Sequence, residues 1–124
     1  MKIKIADIHD IENLYELNEL FENETSKEEM EEFIKHNDRE IICIAYADDV
    51  AAGFCTGLII NSICYKNCRL DIESLYVKEE YRNKGIGKAL IGFMEQEASS
   101  RNIKHFHIST NKKNSTALIT IFSF

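Results

Sequence analysis

Between Val77 and Lys88 the chain reads Val77-Lys78-Glu79-Glu80-Tyr81-Arg82-Asn83-Lys84-Gly85-Ile86-Gly87-Lys88, joining a predicted strand to a predicted helix. Glycines at 85 and 87 remove two Cβ atoms from the first helical turn, where backbone N–H groups lack intrahelical partners and the helix dipole is positive. Arg82, Lys84 and Lys88 add positive charge around that turn. An anion, and a diphosphate in particular, is the chemically sensible guest. Two better-known phosphate motifs are incomplete here. A dinucleotide fingerprint needs glycine where Leu90 stands, and a Walker A loop needs Ser or Thr where Ala89 follows Gly87-Lys88. Glycines that only begin a tightly packed helix would leave the clustered bases unexplained.

The elements that must position this turn follow from periodicity. Residues 2–6 alternate as a short first strand, and Ile8, Ile11, Leu14, Leu17 and Phe21 recur at helical spacing behind Asp7, a residue suited to cap the start. Ser26 and Glu29 form a capping-box pair ahead of Met30, Phe33 and Ile34, which predicts a second helix. Ile41 to Ala47 and Val50 to about Ile63 are apolar runs separated by Asp48-Asp49, the pattern of a hairpin. Arg69 to Val77 alternates, which puts Leu70, Ile72, Ser74 and Tyr76 on one face and Asp71, Glu73, Leu75 and Val77 on the other. A helix over Lys84 to about Asn102 and a strand over Lys104 to Thr110 complete the predicted order. A meander of strands followed by a strand-helix-strand crossover implies an α/β (α+β) fold, a mixed sheet covered by helices.

With 124 residues, 44% of them apolar, and no proline, repeat or flexible linker, residues 1–124 are read as one domain. The first residues alternate charge with apolar side chains and reach an acid at Asp7, leaving no signal-peptide core or membrane span there. A soluble cytoplasmic protein without a membrane partner is expected. Four cysteines, at 43, 55, 64 and 68, do not make a disulfide scaffold in so apolar a chain, and no downstream ligand pair completes a zinc site with Cys64 and Cys68. Net charge is −6, but residues 1–50 carry 15 acids against 5 bases, whereas residues 51–124 carry 6 acids against 10 bases. The basic half suits an anionic cofactor and the acidic half a cationic amine, although Glu-rich solvated helix faces explain the latter equally well. The acidic balance disfavours nucleic acid. His105 and His107 share a strand face without a further ligand at metal spacing, and Tyr15, Phe21 and Phe33 fit helix core faces.

Arg82-Asn83-Lys84-Gly85-Ile86-Gly87 resembles the (Gln/Arg)-x-x-Gly-x-(Gly/Ala) signature of the GNAT superfamily of acetyl-coenzyme A N-acetyltransferases. Ile72 to Val77 resembles that family's fourth strand, Tyr81 precedes the signature as is common there, and Asn111 to Ala117 resembles the Asn-x-x-Ala segment of its last helix. The resemblance implies that Arg82, Asn83, Lys84, Gly85, Ile86, Gly87 and Lys88 hold the diphosphate of acetyl-CoA. Leu75, Tyr76 and Val77 would lie along its pantetheine arm, with the main chain of Leu75 and Val77 pairing to it like an added strand. Asn114 matches a cofactor-contacting position, and a splayed strand pair would open the cleft.

Acyl transfer to an amine requires the neutral nucleophile, so a base must take the ammonium proton. Glu73, nine residues before Arg82, resembles the general-base glutamate of polyamine and aminoglycoside acetyltransferases. Backbone N–H groups near Leu75 are placed to polarise the thioester carbonyl. A small-molecule amine acceptor is the implied partner. Where the family carries a proton-donating tyrosine this sequence has Ile121, which leaves water or a residue such as Tyr76 to protonate the leaving thiolate. Family members continue through a helix and two further strands, so an incomplete sheet is expected, with homodimerisation or strand exchange through the apolar C-terminal edge. A CoA-binding or dimerisation module without catalysis is the competing expectation.

Overall fold

The computed structural model describes residues 1–21, 24–61, 63 and 68–108. Strand β1 (Lys2–Ile5) leads through a short 3₁₀ turn (Ile8–Asp10) into helix α1 (Ile11–Phe21), followed by α2 (Lys27–His36). Strands β2 (Glu40–Ala47), β3 (Val50–Ile60) and β4 (Arg69–Val77) come next, then α3 (Ile86–Ser100) and β5 (His105–Ile108). The strands lie in sequence order in one mixed sheet, antiparallel from β1 to β4, with β5 parallel to β4. This bears out the α/β reading and its element order.

Local chemistry accounts for the boundaries. Ser26 caps α2 with Glu29 in a reciprocal capping box, as the sequence predicts. Asp7 caps the 3₁₀ turn with Asp10 as its box partner, so the capped element is that turn and α1 follows it. Asp48 and Asp49 both adopt positive φ, 49° and 67°, between β2 and β3, which is the backbone of a tight primed hairpin turn that Asp tolerates.

Helix α3 covers one face of the sheet. Ile86, Leu90, Ile91, Met94 and Ala98 pack against Ile41, Cys43, Cys55, Leu70 and Leu75. Helices α1 and α2 cover the other, where Leu14, Leu17 and Met30 meet Ile42, Ile44 and Phe54. Strand β2 is therefore apolar on both faces, and its unbroken run Ile41–Ala45 is buried throughout.

One expectation fails inside β4. Strict alternation would place Leu70 and Ile72 with Tyr76, yet Leu70, Ile72, Leu75 and Val77 all pack on the α3 face, while Tyr76 packs on the α1/α2 face. The cause is a bulge: Ile72 pairs with Gly57 and Ser74 pairs with Thr56, so Glu73 is an extra residue with no opposite number on β3. An inserted residue shifts the period-2 pattern by one and re-aims everything after it.

A buried polar knot ties β1, β2 and the 3₁₀ turn together. The Asp10 carboxylate, on a residue only 4% exposed, accepts from Lys4 Nζ at 2.8 Å, Tyr46 Oη at 2.6 Å and the Asp7 backbone N–H at 2.9 Å. Burial works to raise the Asp10 pKa, but the bonds from Lys4, Tyr46 and Asp7 outweigh it and hold the carboxyl below its ordinary value. A depressed folded-state pKa contributes stability that is present above the unfolded value and lost as pH falls through the folded one. Asp10→Asn is accordingly expected to destabilise the fold by about 2 kcal/mol near neutrality. Thermal unfolding of both proteins across pH should show that gap narrowing only below about pH 4.

Candidate active site

The turn after β4 is built from two left-handed residues. Asn83 has φ 63° and Gly85 has φ 84°; Asn is among the few side chains that tolerate this region and glycine has no penalty there. Gly85 is the N-cap of α3 and has no side chain to offer its first turn. The first bond that reaches back to the cap runs from Ala89 N–H to Gly85 O at 3.0 Å, so the N–H groups of Ile86, Gly87 and Lys88 precede it. A Cβ built on Gly85 would meet nothing within 4 Å, so the approach to this turn is open. These features fit a diphosphate, which needs convergent N–H donors, a positive helix end and room for its oxygens.

The bases around the turn are partly organised already. Arg82 Nε donates to the Val77 carbonyl at 2.9 Å, and its guanidinium lies 5.6 Å from the Tyr76 ring centroid. Lys84 Nζ sits 5.7 Å from the Tyr81 ring centroid. Arg82 thus locks the end of β4 to the start of the turn. Asn83, Lys84, Gly85 and Lys88 are exposed, whereas Ile86 and Gly87 are buried. Tyr76 completes an aromatic group with Phe21 at 5.8 Å and Phe54 at 6.5 Å between centroids. Leu75 and Val77 send their side chains into the core, so the backbone is what β4 offers a ligand at those positions.

The described pairing of β4 with β5 runs from Arg69↔His105 to Ile72↔Ile108, the last described residue of β5. Asn114, the C-terminal edge from Asn111 onward and Ile121 lie outside the described residues. His105 and His107 are exposed on β5, and among the described residues no group of three His, Cys, Asp or Glu side chains could hold a metal ion.

On the α1/α2 face a cavity of about 420 Å³ opens over the same part of β4. Its polar lining comes from Glu40, Thr56 and Ser74 on the sheet and from Asn18, Thr25 and Glu29 on the helical side; Thr56 and Ser74 are register partners across β3 and β4. Burial raises the Glu40 pKa, the Thr56 hydroxyl donating to its carboxylate acts the other way, and the negative charge of Glu73 adds to the rise. Glu73 itself is the sequence neighbour of Ser74, which lines the cavity. Sequence reasoning found Glu73 but missed Glu40, Thr56 and Ser74. The available signal was a lone acid, Glu40, abutting the apolar run that starts at Ile41; partners on the next two strands give no local pattern.

A profile of the acetyltransferase (GNAT) family matches residues 7–120. Among solved structures, the fold matches a ribosomal-protein-alanine N-acetyltransferase from Brucella melitensis biovar Abortus 2308 with TM-score 0.83 and 17% identity, covering 95% of this chain and 86% of that one. An aminoglycoside acetyltransferase from an uncultured soil metagenomic sample, in complex with sisomicin, matches with TM-score 0.81 and 19% identity over 98% and 85% of the two chains. The aminoglycoside N-acetyltransferase AAC(6')-Iy in complex with CoA matches with TM-score 0.79 and 20% identity over 94% and 81%. No curated protein matches the sequence.

Proposed function

The chain belongs to the acetyltransferase (GNAT) family, and from that premise we propose that it transfers the acetyl group of acetyl-CoA to a primary amine. The acceptor is a small molecule, polyamine- or aminoglycoside-like, or a peptide. The observation that carries the reading is the bulge at Glu73. It sets Glu73 out of register with β3 and next in sequence to Ser74, a residue that lines the cavity, on the strand that leads to the glycine turn.

Acetyl-CoA supplies an acyl carbon activated as a thioester. The N–H groups of Ile86, Gly87 and Lys88, with Arg82, Asn83, Lys84 and Gly85 around them, would hold its diphosphate. The main chain over Leu75, Tyr76 and Val77 would hold the pantetheine arm, and Asn114, by its resemblance to the family position, would add a contact. Glu73 takes the proton of the acceptor ammonium, directly or through one water, and so frees the nitrogen lone pair. Arg82 maintains the strand-to-turn junction through its bond to the Val77 carbonyl, keeping the donor end and the base on one rigid strand. The fold is one domain over residues 1–124.

Ligand-dependent thermal unfolding tests the donor half of this reading without requiring turnover. CoA and acetyl-CoA at about a hundredfold above Kd are each expected to stabilise the protein by about 2.7 kcal/mol, raising Tm by several degrees. ATP, which lacks the pantetheine arm, should give a smaller shift. Equal shifts for all three would leave a general anion site in place of a CoA site.

A further inference from the structure

Gly53 stands on β3 opposite Val77, where that strand meets the end of β4. A Cβ built on Gly53 would lie 2.6 Å from the Tyr76 carbonyl oxygen, 3.2 Å from Val77 Cα and 3.3 Å from Val77 Cγ2. The two nearest of these atoms are main chain, which cannot swing aside as the end of a side chain can. Glycine therefore lets β3 approach the Tyr76–Val77 peptide more closely than any residue with a Cβ allows. Gly57, on the same strand, is also tight, but there the nearest atoms belong to side chains, Met94 Cε at 2.8 Å and Leu70 Cδ1 at 2.9 Å.

The phase of the ladder determines which way the crowded backbone points. Lys78 N–H donates to the Ala52 carbonyl at 2.8 Å, so along this part of β4 the main-chain groups of Tyr76 and Lys78 face β3, and those of Leu75 and Val77 face away from it. On that outward side the Val77 carbonyl accepts from Arg82 Nε at 2.9 Å, which ties it to the turn that follows. The close approach at Gly53 and the outward-facing Val77 backbone are two sides of one strand.

Resting on the acetyl-transfer reading, we propose that Gly53 is a positioning residue of the donor site. By omitting a Cβ it seats the Tyr76–Val77 main chain against β3, and that seat fixes where the Val77 N–H meets the pantetheine arm. An arm that pairs with β4 as an added strand depends on main-chain hydrogen bonds, which weaken once donor and acceptor are displaced by a few tenths of an ångström. The diphosphate is held farther along the chain, by a turn whose helix is anchored separately in the core through Ile86 and Leu90. A Cβ at position 53 thus loosens the arm and leaves the diphosphate in place.

Titration calorimetry of CoA and of 3′-phospho-ADP, its nucleotide half, tests the assignment on wild type, Gly53→Ala and Gly57→Ala. The readout is the ratio of the two affinities, which a general loss of stability does not move. Gly53→Ala is expected to weaken CoA binding about tenfold and 3′-phospho-ADP binding less than about twofold. Gly57→Ala, which crowds the core against Met94 and Leu70, should lower Tm yet keep the wild-type ratio. Circular dichroism establishes that each variant is folded. A wild-type ratio in folded Gly53→Ala, or the same altered ratio in Gly57→Ala, overturns the assignment and leaves the acetyl-transfer reading standing. Amide hydrogen exchange on wild type supplies a measurement that needs no variant: CoA should slow exchange at Val77 about tenfold and 3′-phospho-ADP should not. Equal protection by both ligands, or protection by neither, overturns the positioning role in the same way. Wild type that binds neither ligand overturns both.

Discussion

Glu73→Gln is expected to lower kcat by about a hundredfold or more while leaving the Kd for acetyl-CoA within about twofold of wild type. The amide is isosteric with the carboxylate and sits on a half-exposed residue at a bulge, so the backbone geometry has no reason to change. It cannot accept a proton, however, and an acceptor that arrives as an ammonium then has only water to deprotonate it. Raising the pH should restore part of the variant's rate, because the fraction of neutral amine in solution grows. Stopped-flow rates across pH 6 to 10, beside titration calorimetry of acetyl-CoA, separate the two effects. Full activity in the variant would move the base elsewhere, with Glu40 and Glu29 the carboxylates that line the cavity.

Gly85→Asp is expected to weaken acetyl-CoA binding by about a hundredfold, with a cost of about 1 kcal/mol in fold stability for the left-handed backbone. Gly85 has φ 84°, a region closed to most L-residues but one that Asp tolerates better than nearly any other. A Cβ there meets nothing within 4 Å, so the cost of the substitution is confined to the strain of its own backbone. What changes is the charge: a carboxylate would project beside the open N-terminal turn of α3, where the diphosphate is to be held. Repulsion between anions at a helix N-terminus is strong and partly screened by salt, so the loss should shrink at high ionic strength. Gly85→Asn, equally tolerant of the backbone but neutral, should retain most of the affinity. Equal weakening by Asn and Asp would indicate that the turn's shape matters and its charge does not. Unaltered binding in Gly85→Asp would place the cofactor away from this turn.

Much of this architecture was legible in the sequence because local signals and tertiary demands agree. The Ser26–Glu29 box marks the start of α2 as observed, Asp48-Asp49 marks the hairpin, and the paired glycines beside Arg82, Lys84 and Lys88 mark the turn before α3. Periodicity failed at β4 for a definable reason. A bulge is an insertion relative to a neighbouring strand, and its trace in β4 is a break of phase at Glu73-Ser74, with Leu70 and Ile72 apolar at even positions before it and Leu75 and Val77 at odd positions after it. The register against β3, where Ile72 meets Gly57 and Ser74 meets Thr56, identifies Glu73 as the extra residue. The bulge matters for the site, since it turns Leu75 and Val77 toward α3 and leaves Tyr76 with Phe21 and Phe54.

The polar end of the cavity was illegible for a related reason. Glu40, Thr56 and Ser74 lie on three strands and gather only when β2, β3 and β4 pair. The Asp10 knot was equally hidden, because Tyr46 reaches it from 36 residues away. Side chains that meet through a sheet leave no spacing rule, whereas a turn that reads an anion is contiguous and can be found by eye. Among the described residues no helix is long and apolar enough to cross a membrane, in keeping with the alternating start of the chain.

The most direct test of the central claim is to incubate the protein with acetyl-CoA and a panel of primary amines and to follow both products, N-acetylated amine by mass spectrometry and free CoA thiol by absorbance. The account predicts that the two appear in equal amounts with at least one amine, and that Glu73→Gln suppresses both together. Acetyl-CoA bound at the glycine turn with no acetylated amine formed, or thiol released without matching acetylated product, would contradict it.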